Sequence, residues 1–338
     1  MKVSNKYLFF LQRIIKDLFK PNKFLLAQDM VSRDLGEYYL VFEEDALIYQ
    51  KGGQASLTFD EKGIPMIFTY IDVKDKDTAY YPITAGQYAL AVYHTWLRTQ
   101  SAEKKAHFLR IADWFMEQAV ADEKLGVYWL TDVPKPEYKV FTPWKSAFSQ
   151  SRGLSVLLRA WQISGNEAYL ETATKALIPY TIDLRDGGVA SWLKEGWPFY
   201  EEYTASSPTM VLDGHNFSLL GVMDYIRAVP ADLDPAGHEM AQNIFRRGID
   251  SLIHWLPQYD LGWWLRFNLC KMPHYPPIDP CTVNYFRLVL MQLELLRQIS
   301  GREELDTFVQ AFRKHDRIHN ILRMYLVKYK ALKQLKRL

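Results

Sequence analysis

Four times along the chain an apolar stripe recurs at helical spacing, at intervals of roughly 65 residues. The stretches GQYALAVYHTWLRT (86–99), SQSRGLSVLLRAWQIS (149–164), DGHNFSLLGVMDYIRAV (213–229) and VNYFRLVLMQLELLRQIS (283–300) carry apolar residues at i, i+3, i+4 and i+7. A second amphipathic stretch follows each: KAHFLRIADWFMEQAV, EAYLETATKALIPYT, EMAQNIFRRGIDSLIHWL and REELDTFVQAFRKHD. After the first three pairs, LGVYWLTD, DGGVASWLKEGWPFYEEY and LGWWLRFNL read as a turn and a short aromatic strand. Repeated helix pairs must stack to bury their stripes. The pattern predicts a mainly α chain, an α/α toroid of about four helical hairpins over 83–312. The first helix of each pair lies inside and the loops gather at one rim. An open α-solenoid is the rival arrangement, and the recurring Gly- and aromatic-rich loops fit a toroid with a cleft better.

The flanks differ. Residues 31–82 alternate in EYYLVFEEDALIYQ and ASLTFDEKGIPMIFTYID around the turn signals KGG and DEKG, so a small β-rich segment is expected there. Residues 1–30 form an amphipathic basic segment with Leu8, Leu11, Ile15 and Leu18 at helical spacing. The polar breaks at Gln12, Arg13 and Lys16 disfavour a signal peptide or a membrane span. Residues 313–338 hold nine Lys or Arg against the single acid Asp316, with Ile321, Leu322, Tyr325, Leu326, Tyr329, Leu332 and Leu335 along one face. A terminal helix packed on the domain is the simpler expectation. A peripheral contact of this basic tail with an anionic membrane surface or polysaccharide is the functional one.

Composition is globular, with 49% hydrophobic residues and a formal charge of +2, which argues against nucleic acid as a partner. Cys270 and Cys281 form no metal-spaced motif and fit two free thiols in a reducing compartment. No phosphate loop, dinucleotide fingerprint, HExxH, EF-hand or acyl-transfer pattern is present, and no cofactor or metal is expected. The 10 Trp, 21 Tyr and 18 Phe include sugar-platform candidates at Trp129, Trp144, Trp192 and Trp197.

Four segments, YYPITAGQYALAVY (80–93), SQSRGLSVLLRAW, YEEYTASSPTMVLDGHNFSLLG (200–221) and RRGIDSLIHWLPQYDLG (246–262), resemble the C-terminal catalytic domain of heparan-type D-glucuronyl C5-epimerases. The third is the most specific, since a long irregular stretch matches in order. The resemblance runs from about residue 38 to 300. It implies cofactor-independent inversion of C5 in glucuronate, giving iduronate, inside a polysaccharide or oligosaccharide. That chemistry needs a group to remove the C5 proton, another to return one on the opposite face, and donors around the carboxylate.

By the resemblance Glu202 and Tyr203 carry over as catalytic, as does Tyr285, which opens the last inner helix. Arg266, in WWLRF, carries over as the carboxylate clamp. Glu201 beside Glu202 is expected to help raise a carboxylate pKa and to contact the substrate. Arg152, Gln87, His215 and Asn216, at inner-helix starts, are substrate-contact candidates, although a cap or buried structural contact is the ordinary role there. Two positions depart from the family: Trp263 stands where a tyrosine is usual, and Phe286 where some members have histidine. Trp263 stacks on a sugar but exchanges no proton. A uronate lyase, hydrolysis by Glu202 with Asp213, and a non-catalytic glycan-binding protein stay open beside the epimerase. The expected location is the cytoplasm, peripheral at the inner membrane face. The resemblance also carries a weak expectation of a homodimer.

Overall fold

The computed structural model describes residues 14–15, 17–18, 24–49, 55–69, 77–141, 143–193 and 196–337. Leu8, Leu11 and the turn at 51–53 lie outside the described residues. The alternation over 37–50 is mostly not strand. Leu40–Val41 (β2) pairs with Leu25–Leu26 (β1), and Glu44–Ile48 is a short helix, α1. The reason is two-sided burial: consecutive Tyr38 and Tyr39 are both fully buried, which a half-exposed strand cannot arrange. This segment plugs one end of the molecule, and inner-helix side chains take up its backbone groups. His94 Nε2 accepts from the Tyr38 amide at 2.9 Å, Gln162 Oε1 accepts from that of Leu35 at 2.8 Å, and the Tyr93 hydroxyl donates to the Leu35 carbonyl at 2.9 Å. The later alternation does form sheet, with Leu57–Phe59 (β3), Pro65–Phe68 (β4) and Thr78–Tyr80 (β5) antiparallel.

The apolar stripes become four hairpins: Pro82–Thr99 (α2) with Ala102–Glu117 (α3), Ala147–Ser164 (α4) with Glu167–Lys175 (α5), Leu212–Ala228 (α6) with Pro235–Tyr259 (α7), and Val283–Ser300 (α8) with Glu304–Arg313 (α9). Local chemistry sets the starts. Pro82 opens α2, and the Ser146 hydroxyl accepts from the amides of Phe148 and Ser149 to cap α4. The first helices pack in order, α2 on α4, α4 on α6 and α6 on α8, and each partner lies outside its own first helix. This is an α/α toroid. Among the described residues α2 and α8 share no extensive contact, and Phe24, Leu40, Phe42, Ile67 and Phe68 of the N-terminal segment line the open space between them. Inner helices approach closely where side chains vanish. A Cβ on Gly221 of α6 would stand 2.5 Å from the Ser151 backbone of α4.

Between hairpins run Val120–Asp122 (β6) with Gly126–Tyr128 (β7), and Ala190–Trp192 (β8) with Pro198–Tyr200 (β9). The third expected strand, in 261–269, makes only isolated bridges, Asp260↔Leu265, Arg266↔Pro280 and Val211↔Asn268. A final helix, Ile318–Gln334 (α10), covers the rim. Its apolar residues divide between two faces: Ile321, Met324 and Tyr325 are buried, while Leu322, Leu326 and Tyr329 stay exposed. No helix among the described residues is long and apolar enough to cross a membrane.

Candidate active site

A cleft of about 400 Å³ opens at the rim where the inner helices begin. Each of the four contributes from its first turns: Gln87 from α2, Phe148 from α4, Asp213 and Phe217 from α6, Tyr285 from α8. Lys135, Glu202 and Tyr203 enter from the loops between hairpins. The cleft continues through Lys135, Tyr203 and Tyr285 into an outer groove of about 350 Å³ walled by α10.

Glu201 and Glu202 directly follow strand β9, and their side chains go opposite ways. Glu201 turns inward and is fully buried. One oxygen accepts from the Ser191 hydroxyl at 2.7 Å, and the other from the Thr209 hydroxyl at 2.7 Å and the amides of Thr209 and Met210 at 3.1 and 2.9 Å. These bonds hold the return loop to α6, in which Met210 sits at φ 52°, a conformation that costs a non-glycine residue. The Tyr259 hydroxyl donates to the Met210 carbonyl at 2.6 Å and completes the clamp.

Glu202 turns toward the cleft and packs over Gly214 in the first turn of α6. A Cβ at Gly214 would lie 2.6 Å from Glu202 Cβ and 2.7 Å from its Oε2, so only glycine leaves room. Burial pushes the Glu202 carboxyl up to about 7; a hydrogen bond from Tyr203 and the Lys135 charge hold it down, while Glu137 and Glu201 push it further up. Asp213 is driven well above the carboxylate range, first by burial and then by Glu202. Two carboxyls with raised affinity for protons therefore share one cleft. Lys135 is 3% exposed, its Nζ 5.1 Å from the Tyr203 ring centre and 5.5 Å from that of Tyr81. Tyr203 stacks on Tyr138 at 5.0 Å. Tyr285 is 41% exposed and packs edge-on against Phe267. Among the described residues no three His, Cys, Asp or Glu side chains gather at metal-binding spacing.

Thus Glu202, Tyr203, Tyr285 and Gln87 meet in the cleft, and six other candidates do not line it. Glu201 is saturated by protein donors, as described. His215 is fully buried, with Nδ1 accepting from the Tyr200 amide at 2.9 Å and Nε2 against the Gly248 carbonyl at 3.0 Å; burial lowers its pKa to about 4. Asn216 donates to Gln292 at 3.1 Å, and Gln292 donates to the Asp213 carbonyl at 3.2 Å, so both brace α6 against α8. Arg152 lies under the cleft floor, its guanidinium 4.7 Å from the ring centres of both Phe148 and Phe217. Arg266 donates to the Pro277 carbonyl at 2.6 Å, and the Trp263 ring is covered by the Arg323 guanidinium of α10 at 4.2 Å. None of Trp129, Trp144, Trp192 and Trp197 lines the cleft. What the sequence did not disclose is Lys135: it sits in the irregular loop VPKPEYKV, where the prolines signal a turn and nothing marks the amine.

The model of the D-glucuronyl C5-epimerase C-terminus family matches residues 123–314, more than half of the chain. A D-glucuronyl C5-epimerase of Caenorhabditis elegans is 34% identical over 176 residues, 48% of this chain and 27% of that protein. An uncharacterized protein of Methanocaldococcus jannaschii is 26% identical over 192 residues, 55% of this chain and 58% of that one. The chain thus spans well under two thirds of either relative. A solved GH76 α-mannanase of Bacteroides thetaiotaomicron aligns over 76% of this chain and 62% of its own at 12% identity, with a TM-score of 0.43, a likeness too weak to bear on fold or function. With the family model covering the YEEY loop, α6 and the start of α8, this chain belongs to the D-glucuronyl C5-epimerase C-terminus family.

Proposed function

We propose that the cleft inverts C5 of a glucuronate residue within a polysaccharide or lipid-linked glycan. The observation that carries the reading is Glu202: a carboxyl pushed up to about 7 by burial, in an aromatic cleft, beside a lysine. A base for a carbon acid next to a carboxylate works best with a pKa near the working pH. In the proposed step the Glu202 carboxylate takes the C5 proton, and the C5–H electron pair moves into the uronate carboxylate. Lys135, whose charge acts on Glu202, rather than Arg266, is the cation for that developing charge. The Tyr285 hydroxyl, entering from another element, then gives a proton to C5 from the other face, and solvent restores both groups. Tyr203 donates to Glu202 and tunes it. Membership of the family supports the reaction class.

A second reading rests on Asp213. Two neighbouring buried carboxyls with raised pKa are also the equipment of an acid/base hydrolase. Incubation with uronate oligosaccharides in heavy water separates the readings. Epimerisation places deuterium at C5 and is lost in Glu202→Gln and Tyr285→Phe; new reducing ends without deuterium at C5 would replace it by hydrolysis, and an unsaturated ultraviolet-absorbing product by a lyase.

A further inference from the structure

The family match ends at residue 314, yet α10, beginning at Ile318, supplies Met324, Tyr325, Lys328 and Leu332, and Leu335 just after it, to the outer groove that joins the cleft. Apart from Lys135, which stands at the junction with the cleft and bears on the Glu202 charge, the groove's charges come in tied pairs. Lys328 Nζ stands 2.6 Å from Asp279 Oδ1, and Arg337 Nη1 stands 2.7 Å from Glu137 Oε1. The acids are the deeply buried members, with side chains 4% and 8% exposed. Asp279 is held further by the Tyr275 hydroxyl, which donates to its Oδ2 at 2.7 Å. Asn268 donates to the hydroxyls of both Tyr275 and Tyr138, and the rings of Tyr203, Tyr138 and Tyr275 stack in sequence at 5.0 and 5.5 Å.

We infer that this groove is a subsite for the sugar adjoining the uronate, and that it selects an uncharged residue, such as an N-acylated amino sugar, over a sulfated or carboxylated one. The inference rests on the uronate reading of the cleft. The physical reason is electrostatic. A stacked tyrosine wall with Phe267 and Leu332 suits the apolar face of a sugar ring, and the volume suits one to two rings. An anion entering the groove meets two buried carboxylates whose cations are already engaged, and it must break a pair to gain a partner. Helix α10 thus adds to the family cleft a ring-shaped space whose charges beyond the Lys135 junction are paired.

The test uses the full chain and size-matched tetrasaccharides with a central uronate flanked by N-acetylated or N-sulfated amino sugars. Kd is measured by calorimetry, and C5 deuterium uptake is measured separately. The N-acetylated glycan binds about tenfold or more tighter. Asp279→Asn, which frees Lys328 of its carboxylate while keeping an acceptor for Tyr275, narrows the ratio to within about threefold; Lys328→Gln widens it. Should either variant melt early, Leu332→Arg places a new cation on the groove wall and shifts the ratio toward the sulfated glycan. Equal or tighter wild-type binding of the sulfated glycan overturns the subsite, as does binding of neither, or a ratio unmoved in folded Asp279→Asn. Absence of deuterium uptake with the Kd ratio intact overturns the epimerase reading alone.

Discussion

Two clusters of buried charge lie along the toroid, and they differ in what they face. At the rim Glu202, Asp213 and Lys135 border open space. Beneath the aromatic floor of Phe148 and Phe217, Arg152, Arg159, Arg227 and Asp224 are sealed in the core. The sealed cluster is tied to itself and to the backbone, although atoms of Arg152, Arg159, Arg227 and Asp224 stay buried without a hydrogen bond. Arg159 bonds Asp224 at 2.7 Å, the Ser155 carbonyl at 3.0 Å and the Gly36 carbonyl at 3.1 Å, and Arg227 donates to the Ser32 carbonyl at 3.0 Å. These bonds fasten the N-terminal plug to α4 and α6. Arg152 is held instead by surrounding rings, those of Tyr38, Phe148 and Phe217 within 4.8 Å. The rim cluster keeps carboxyls against their preference for water, and its strain shows as raised proton affinity. Sealed buried charge here serves architecture, whereas buried carboxyls with raised proton affinity that border a cleft mark the candidate site.

Two substitutions break the comparison most sharply. Asp224→Asn leaves the Arg159 charge uncompensated in the core and lowers unfolding free energy by about 3–5 kcal/mol, read by urea titration, while turnover per folded molecule persists. Glu202→Gln does the reverse: C5 exchange falls about 10²–10⁴-fold and the melting temperature holds or rises, because a strained carboxyl becomes a neutral amide. If Glu202→Gln unfolds the chain and leaves residual exchange untouched, the rim cluster is architecture too. Gly214→Ala comes next. Its Cβ collides with Glu202 Cβ at 2.6 Å, so the carboxyl must move; exchange drops on the order of tenfold or more and stability falls about 1–3 kcal/mol.

The same contrast explains what was legible beforehand. Three inner helices announced themselves within two residues of their ends, and the first began four residues earlier than read, at Pro82, because a 3.6-residue period is local and survives any tertiary arrangement. The YEEY loop was legible only by its irregular match. Which of its two glutamates faces the cleft was not, since that depends on how the chain leaves β9 and on donors at Ser191, Thr209 and Met210. His215 and Asn216 follow Asp213 by two and three residues on a helix, which turns them from the rim toward Gly248 and Gln292. Trp263 is covered by an arginine some 60 residues later in the chain, a non-local fact. The strand expected over 37–50 failed because its tyrosines are buried on both sides, against helices whose arrangement no alternation reveals.

Titration sharpens the comparison further. Raised in the fold to about 7 from an unfolded value near 4.5, Glu202 binds more protons folded than unfolded in that window. Its stabilising contribution is complete below about 4.5 and is lost as pH rises through about 7, with a slope approaching about 1.4 kcal/mol per pH unit. His215 and His94, lowered to about 4 and about 3, act oppositely and remove stability as pH falls below their unfolded range. Urea midpoints of the wild type minus those of Glu202→Gln, taken from pH 4.5 to 7.5, cancel the histidines and expose the glutamate. A flat difference would mean that Glu202 keeps an ordinary carboxylate pKa. Exchange activity follows the opposite course, rising with pH as the base loses its proton.

The smallest expected effect is the one that discriminates between sequence and geometry as guides to the site. Arg266 sits where the family resemblance puts the carboxylate clamp, but its guanidinium is spent on the Pro277 carbonyl, outside the cleft lining. Lys135 has no such pedigree, yet it borders both cleft and groove and bears directly on the Glu202 charge. Lys135→Met is therefore expected to cut kcat/KM about 10²-fold, with its Glu202 base shifted to higher pKa and the pH profile moved alkaline. Arg266→Ala, removing one exposed bond to a backbone carbonyl, is expected to change kcat/KM by less than about threefold. The pH profile separates the two roles, because merely loosening the loop would lower activity without moving the apparent pKa. Should Arg266→Ala instead lose activity while Lys135→Met keeps it, the arginine must swing into the cleft when glycan binds, and the carboxylate clamp would be assembled by the substrate.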